Sequence, residues 1–286
     1  MTFVYEWHGK NRRIPNLVKW AGGKSSSMKN LLQEIPTNFN NYYEPFFGGG
    51  SLFWTLKNKK KISHAIISDV NGDLINLLLA VKDKPMELSV ELEKYRSAAG
   101  AEEYYRIRKK FNGCGSTNCI DTERAAMFLY LNRNGYNGLW RTNKTGKYNV
   151  PYGGYKRFYL ANNEDLELYS TLLKDTTIMN ASYPVTLENA ENGDFVFLDP
   201  PYFREKNSNF VQYNATSFTE RDHLNLKNTV EELTNRGVKV MVTNRYCDEI
   251  KAIFSSFKMT TFRNRKQINR IGSARMGFNE VMITNF

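Results

Sequence analysis

An acid, two prolines and an aromatic ring stand together at Asp199-Pro200-Pro201-Tyr202, directly after the apolar run Phe195-Val196-Phe197-Leu198. Four consecutive large apolar residues following the turn signal Asn192-Gly193-Asp194 predict a strand buried on both faces of a parallel sheet. The prolines stop that strand immediately after the acid, fix φ at two positions and remove two backbone donors. A carboxylate, carbonyls free to accept and an aromatic face are thereby held at a strand's carboxyl end, where open α/β sheets bind their ligands.

A second constellation lies upstream. Tyr42-Tyr43-Glu44-Pro45-Phe46-Phe47-Gly48-Gly49-Gly50-Ser51 reads as a short strand, a glycine cluster and the start of an amphipathic helix, Leu52 to Lys57. Glycines between a strand and a helix let backbone approach a ligand closely, although Phe53 stands where a dinucleotide fingerprint needs its third glycine. The next apolar run, Ala65-Ile66-Ile67-Ser68, ends in Asp69, about twenty residues on, the spacing of a carboxylate that binds ribose hydroxyls. Together these motifs predict a site for a nucleoside-bearing cofactor. Gly23-Lys24-Ser25 ends like a phosphate-binding loop, but Val18 stands where that motif needs glycine, and no useful strand precedes it.

The elements that position these residues alternate between strand and helix patterns, with one interruption. Residues 1 to 16 are polar and unpatterned and are expected to be a loose lead-in. Ser25 to Ser27 can cap a helix through Met28, Leu31, Leu32 and Ile35 that Pro36 ends. From Asp73 to about Gly135 strand signals vanish and helical spacing persists, with a loop from Asn112 to Asp121. Two aromatic-rich strands around Lys144-Thr145-Gly146 then predict a β-hairpin, carrying Arg141, Lys144 and Lys147 with Lys156 and Arg157 just beyond. Exposed aromatics and cations there would suit a nucleic-acid groove or a flipped base, whereas most aromatic hairpins pack against a core. After Asn162 the alternation resumes: a helix from Leu166 to Leu173, a strand from Thr177 to Met179, the central strand, a helix from Arg221 to Arg236 capped by Thr219, and a buried strand from Val238 to Val242. A polar loop long enough to act as a lid joins Tyr202 to Thr219. Ile250 to Asn279 holds no acid but seven cations, among them Lys251, Lys258, Lys266 and Arg270; such a run suits a solvated surface or, on a chain of this charge, a phosphate-facing loop between two edge strands.

With 286 residues the chain can bury a substantial core, and a net charge of +11 points to a polyanion or an anionic membrane. No apolar stretch approaches the ~20 residues that span a bilayer, and the charged, aromatic start is unlike a secretion signal. Nucleic acid is the better partner. Three cysteines without metal-finger spacing and three scattered histidines predict reduced thiols in a cytoplasmic protein, and no metal site.

Taken in order, Trp20-Ala21-Gly22-Gly23-Lys24, Glu44 through Ser51, Asp69 and Asp199-Pro200-Pro201-Tyr202 resemble the motif set of Dam-type (D12 class) DNA N6-adenine methyltransferases. The resemblance covers about residues 17 to 286. It extends to Leu129-Tyr130-Leu131-Asn132-Arg133 and the hairpin through Val150-Pro151-Tyr152-Gly153, which look like that family's target-recognition region. It implies an α/β, Rossmann-like methyltransferase sheet, residues 1–71 and 162–286, interrupted by a helical and β-hairpin recognition domain over residues 72–161. S-adenosylmethionine would be the methyl donor and duplex DNA the substrate, with no metal. By matching position, Trp20, Lys24, Phe46, Phe47, Gly48, Gly50, Asp69 and Asp199 would line the cofactor site. Asp199, Pro200 and Tyr202 would be catalytic. Lys19, Tyr136, Asn137, Leu139, Arg141, Pro151 and Tyr155 would contact DNA, with Arg141 and Lys19 toward guanines, Leu139 and Pro151 toward a thymine methyl and Tyr136 as a wedge. Gly154 departs from close family members, which often carry a basic residue there.

The hairpin most resembles readers of GATC, while relatives reading longer sites that begin GAT share much of it. An asymmetric reader of a palindrome can work as a monomer. Two rivals stand beside this reading: the same chemistry on RNA adenine or protein glutamine, and a DNA-binding protein on a degenerate cofactor fold.

Overall fold

The computed structural model describes residues 3–7, 10–14, 16–115, 119–155, 157–203, 218–264 and 278–286. Its centre is a seven-stranded sheet built from β3 (Tyr42–Glu44), β4 (Ala65–Asp69), β5 (Thr176–Asn180), β6 (Phe195–Leu198), β7 (Lys239–Arg245), β8 (Lys258–Asn264) and β9 (Phe278–Thr284). The spatial order is β5-β4-β3-β6-β7-β9-β8. Neighbours from β5 to β7 run parallel, and β9 is antiparallel to both β7 and β8. Chain order therefore runs outward in both directions from the β3–β6 seam, except that β9 inserts between β7 and β8. A sheet that reverses its strand order in this way opens a crevice at the carboxyl ends of the two seam strands. The motifs Glu44 through Gly50 and Asp199 through Tyr202 follow those two strands.

The central strand is buried along its whole length, and its side chains alternate between two cores. Phe195 and Phe197 join the cluster with Tyr42, Phe53 and Met241. Val196 and Leu198 join the cluster with Val240, Val242, Val281 and Ile283. The helix after the glycines, α2 (Ser51–Asn58), buries Leu52, Phe53, Trp54, Thr55 and Leu56. It is more deeply buried than the expected amphipathic pattern implies, because α7 (Asn163–Leu173) packs against it, with Tyr169 set edge-on to Trp54 at 4.9 Å. The N-terminal helix α1 covers Met28–Glu34.

Between β4 and β5 the crossover carries α3 (Gly72–Asp83), α4 (Pro85–Arg96), α5 (Ala101–Gly113), α6 (Thr122–Asn134) and α7 (Asn163–Leu173). Sequence-local caps start three of them. Asn71 accepts from the N–H groups of Asp73 and Leu74, Asp121 from that of Arg124, and Asn162 forms a reciprocal capping box with Asp165. Every residue of α6 from Ala125 to Asn134 is buried, so this helix is the axis around which the others pack. Its core is continuous with the sheet's. Beyond β5 come α8 (Tyr183–Leu187), α9 (Glu220–Asn235), with the expected Thr219 cap in a capping box with Asp222, and α10 (Asp248–Ile253).

Several expectations are corrected. The lead-in is an antiparallel hairpin, β1 (Phe3–Trp7) with β2 (Lys10–Ile14), Phe3 opposite Ile14. The signal was Phe3, Tyr5 and Trp7 at period two, masked by the flanking charge. Ser27 precedes α1 but makes no side-chain cap, because its hydroxyl is committed to Glu280. The aromatic segment is pinned by two isolated bridges, Gly135 with Tyr152 and Thr142 with Tyr148, rather than by full strands. Most of its rings face inward: Tyr148 is buried and Trp140 packs on Phe128 and Phe111. Strand β9 is interior, leaving β8 at the edge. The loop expected as a lid (204–217), Lys156 and the cations from Arg265 to Arg275, including Lys266 and Arg270, lie outside the described residues.

Candidate functional site

The seam places the two strand-end motifs side by side. Tyr42 pairs with Phe195 and Tyr43 with Val196, so the chain beyond Glu44 runs level with Asp199. Asp199 is held at both oxygens: the Thr243 hydroxyl donates to Oδ1 at 2.7 Å and the Lys24 ammonium to Oδ2 at 2.5 Å. Lys24 is only 3 % exposed, also donates to the Gly22 carbonyl at 2.9 Å, and lies 4.8 Å from the centroid of the Tyr202 ring. Burial raises the Asp199 carboxyl above its usual range, while the Lys24 charge and the Lys24 and Thr243 hydrogen bonds pull it back. Thr243 was not singled out in the sequence, yet the parallel register pairs Leu198 with Val242, which puts the next residue of each strand level. Tyr202 donates its hydroxyl to Glu280 at 2.7 Å. Burial raises this phenol, and Asp199 and Glu280 add to the effect.

The glycine loop forms a cradle beside this group. Gly48 and Gly50 both take positive φ. A Cβ on Gly48 would stand 2.7 Å from the indole of Trp20, and one on Gly50 would stand 2.3 Å from the Phe47 ring. Only glycine fits at these two positions. Asp69 ties the cradle to β4: its Oδ2 accepts the Gly48 N–H and its Oδ1 the Asn71 N–H, each at 2.9 Å. Burial raises the Asp69 carboxyl, and those backbone donors oppose the rise. Phe46 stacks on Tyr183 at 5.4 Å, a partner the sequence did not flag. Beneath the cradle, Glu44 is buried and accepts the Tyr42 hydroxyl at 2.6 Å. Burial raises its carboxyl to about 8, with the Tyr42 bond opposing and Asp199 adding. Among the described residues no group of three or more His, Cys, Asp or Glu could hold a metal ion, and no helix is long and apolar enough to cross a membrane.

The residues matched to DNA contact gather at the end of α6. The main chain of Lys19 is clamped by Asn132, which accepts its N–H at 2.8 Å and donates to its carbonyl at 2.7 Å. The Lys19 ammonium donates to the Arg133 carbonyl at 3.0 Å and sits 3.8 Å over the Tyr155 ring. Burial lowers its pKa, with the Arg133 charge contributing. The Tyr155 hydroxyl accepts the N–H of Asn137, a residue at φ +53°. Tyr136 is 40 % exposed and donates its N–H to the Pro151 carbonyl. Leu139 is half-buried against the core, and Arg141 is held through Nε by Asn149 Oδ1 at 2.7 Å. Gly154 lies at φ +70°, so a residue with a side chain would be strained on this backbone. Asn132, which no motif marked as functional, is what seats Lys19.

A parallel sheet with one reversed strand, a glycine cradle tied to a strand-end acid, and a second strand-end acid beside an aromatic ring define a Rossmann-like methyltransferase. Residues 20–268 match the D12 class N6 adenine-specific DNA methyltransferase family, and the chain belongs to that family. It is 33 % identical to the type II methyltransferase M.MjaIII of Methanocaldococcus jannaschii, over 96 % of this chain and 99 % of that one. It is 31 % identical to the type II methyltransferase M1.LlaDCHI of Lactococcus lactis subsp. cremoris, over 94 % of each. To the DNA adenine methylase of Salmonella typhi it is 32 % identical, over 96 % and 95 %.

Proposed function

We propose that this adenine-specific DNA methyltransferase takes its methyl group from S-adenosylmethionine and delivers it to N6 of an adenine flipped out of duplex DNA, within GATC. The observation that carries the chemistry is the Asp199 carboxylate, fixed by Lys24 and Thr243 at the end of β6 and flanked by Tyr202. The Gly48–Gly50 cradle and Asp69 suit the cofactor: the loop admits no side chain, and a carboxylate with free lone pairs stands one strand away. When bound, S-adenosylmethionine supplies an electrophilic methyl on a sulfonium.

The protein's part is orientation. The lone pair of adenine N6 is delocalised into the ring, so the amino group is a weak nucleophile. Asp199 and the Pro200 carbonyl, accepting its two N–H bonds, let the nitrogen pyramidalise and aim its lone pair. The proton can leave after transfer, so Asp199 need not be a strong base. Tyr202 stacks on the base, offsetting part of the few kcal/mol that flipping costs, and Tyr136, exposed beside the Lys19 cluster, fills the space left in the duplex. Residues 72–161 are the recognition unit in this reading, and Arg141 reads a guanine. The protein acts as a monomer, one strand per encounter, which sedimentation with and without DNA would test.

Single-molecule sequencing of DNA treated with the protein and S-adenosylmethionine tests donor, base and site together. N6-methyladenine confined to GATC is the expected outcome; a longer motif would revise the site, and no methylated adenine would remove the reading. Asp199→Ala should abolish turnover while leaving S-adenosylmethionine binding by calorimetry within about threefold of wild type, a difference below 1 kcal/mol. Near-normal methylation by the folded variant would take Asp199 out of the mechanism.

A further inference from the structure

Glu280 is a buried acid that neither the catalytic motif nor the cofactor cradle accounts for. It lies on β9, opposite Arg245 of β7 and Phe262 of β8, and is 2 % exposed. Its two oxygens take two hydroxyls: Oε1 accepts from Tyr202 at 2.7 Å and Oε2 from Ser27 at 2.5 Å. A buried carboxylate is costly unless hydrogen-bonded, and here both donors come from the rim of the reacting group. Ser27 also closes the turn whose first residue is Lys24, its N–H bonding the Lys24 carbonyl at 3.0 Å. Lys24 in turn holds Asp199 and faces the Tyr202 ring. The links thus close a loop: Asp199, Lys24, Ser27, Glu280, Tyr202.

The loop has a mechanical consequence. A tyrosine ring beside a cavity turns about two torsions unless its far end is fixed, and the far end of Tyr202 is fixed by a charge-assisted bond to an acid in the sheet. The turn bearing Lys24 is fixed to the same acid. We propose that Glu280 is a positioning residue: it sets the plane of the Tyr202 ring and, through Ser27, the height of Lys24, so that a base entering the site meets a preformed stacking face. This rests on the reading that Tyr202 stacks on a flipped adenine.

The test uses duplex DNA with 2-aminopurine at the target adenine. That base brightens when it leaves the helix and is quenched when it stacks on an aromatic ring. With a non-reactive cofactor analogue, a signal above that of free DNA in Tyr202→Ala establishes that the base leaves the helix; no rise in that variant or in wild type would fail the underlying reading and not the positioning role alone. Given that signal, Glu280→Ala and Tyr202→Phe both remove the bond between phenol and acid, and Glu280→Ala also releases Ser27. Each should brighten the bound 2-aminopurine and lower kcat on the order of tenfold, the worth of one hydrogen bond to a charged group, with KM for DNA little changed. The double variant should be no worse than Glu280→Ala alone. Glu280→Gln, which can still accept from the phenol, should recover most of the wild-type signal. Wild-type fluorescence in Tyr202→Phe would overturn the proposal even if Glu280→Ala failed to fold. So would losses in the two single variants that simply add in the double.

Discussion

Replacing Glu44 by glutamine should change how stability depends on pH while leaving the packing around it intact. The residue is buried, its carboxyl is raised to about 8, and Tyr42 donates to it. In the folded protein at neutral pH the group therefore carries its proton, whereas in the unfolded chain it ionises near 4.5. Unfolding then releases a proton, so raising the pH favours the unfolded state. The stability this group lends is full below the unfolded pKa and is lost as pH climbs through the folded one. The slope is about 1.4 kcal/mol per pH unit for one proton, which between about pH 5 and about pH 8 amounts to on the order of 4 kcal/mol. That is a large share of the ~5–15 kcal/mol that stabilises a typical domain. Glutamine has nearly the same shape, keeps an acceptor for the Tyr42 hydroxyl and does not titrate. Urea unfolding of both proteins at a series of pH values should show Glu44→Gln gaining on wild type at every step upward. Two curves running parallel across that range would refute the reasoning, because they would mean that Glu44 is ionised in the fold.

Two further outcomes follow from the site. Thr243→Val keeps the volume of the side chain but removes the hydroxyl that donates to Asp199 Oδ1; turnover should fall roughly tenfold, the worth of one hydrogen bond to a charged group, with the melting temperature little moved, and a variant at full kcat would show that Asp199 needs no second anchor. Arg141→Ala should relax discrimination at one base pair by ~1–3 kcal/mol, measured as methylation rates on a panel of singly substituted sites; an unchanged panel would take Arg141 out of base reading.

How much of this was legible in the sequence depends on whether the signal was local. The seam strands, the glycine loop, Asp69 and the stop at Asp199 were readable, because each is a run of residues whose order dictates its backbone. The Thr219 cap was readable for the same reason. Glu280, Thr243 and Asn132 were not, since each acts across more than forty residues of sequence, and nothing beside them distinguishes them from ordinary strand or helix positions. The β7 register could have found Thr243, since both strands were expected and their ends needed only to be set level. The charged β1–β2 hairpin was missed because composition outweighed a clear two-residue period. The rings of Trp140 and Tyr148 could be read as exposed or as core, because a local pattern does not say which face the buried helix α6 will cover.

Lys24 is where the two halves of the site depend on each other. Residues 17 to 24 pass all of it in turn: Lys19 is seated on α6 by Asn132, Trp20 lies against Gly48 and Gly49, and Lys24 reaches Asp199. An acid at a buried strand end is useful to an amino group only when ionised, and burial works against that. The Lys24 ammonium offsets the burial, and each Asp199 oxygen still keeps a lone pair beyond the ones given to Lys24 and Thr243. Removing the ammonium, as in Lys24→Met, should therefore raise the Asp199 carboxyl further. Methylation at saturating cofactor and DNA would then lose its acid limb earlier, and the limb of the kcat profile should move to higher pH while the alkaline side stays in place. An acid limb at the wild-type position, in a variant that still binds cofactor and DNA, would mean that Asp199 acts without needing its charge.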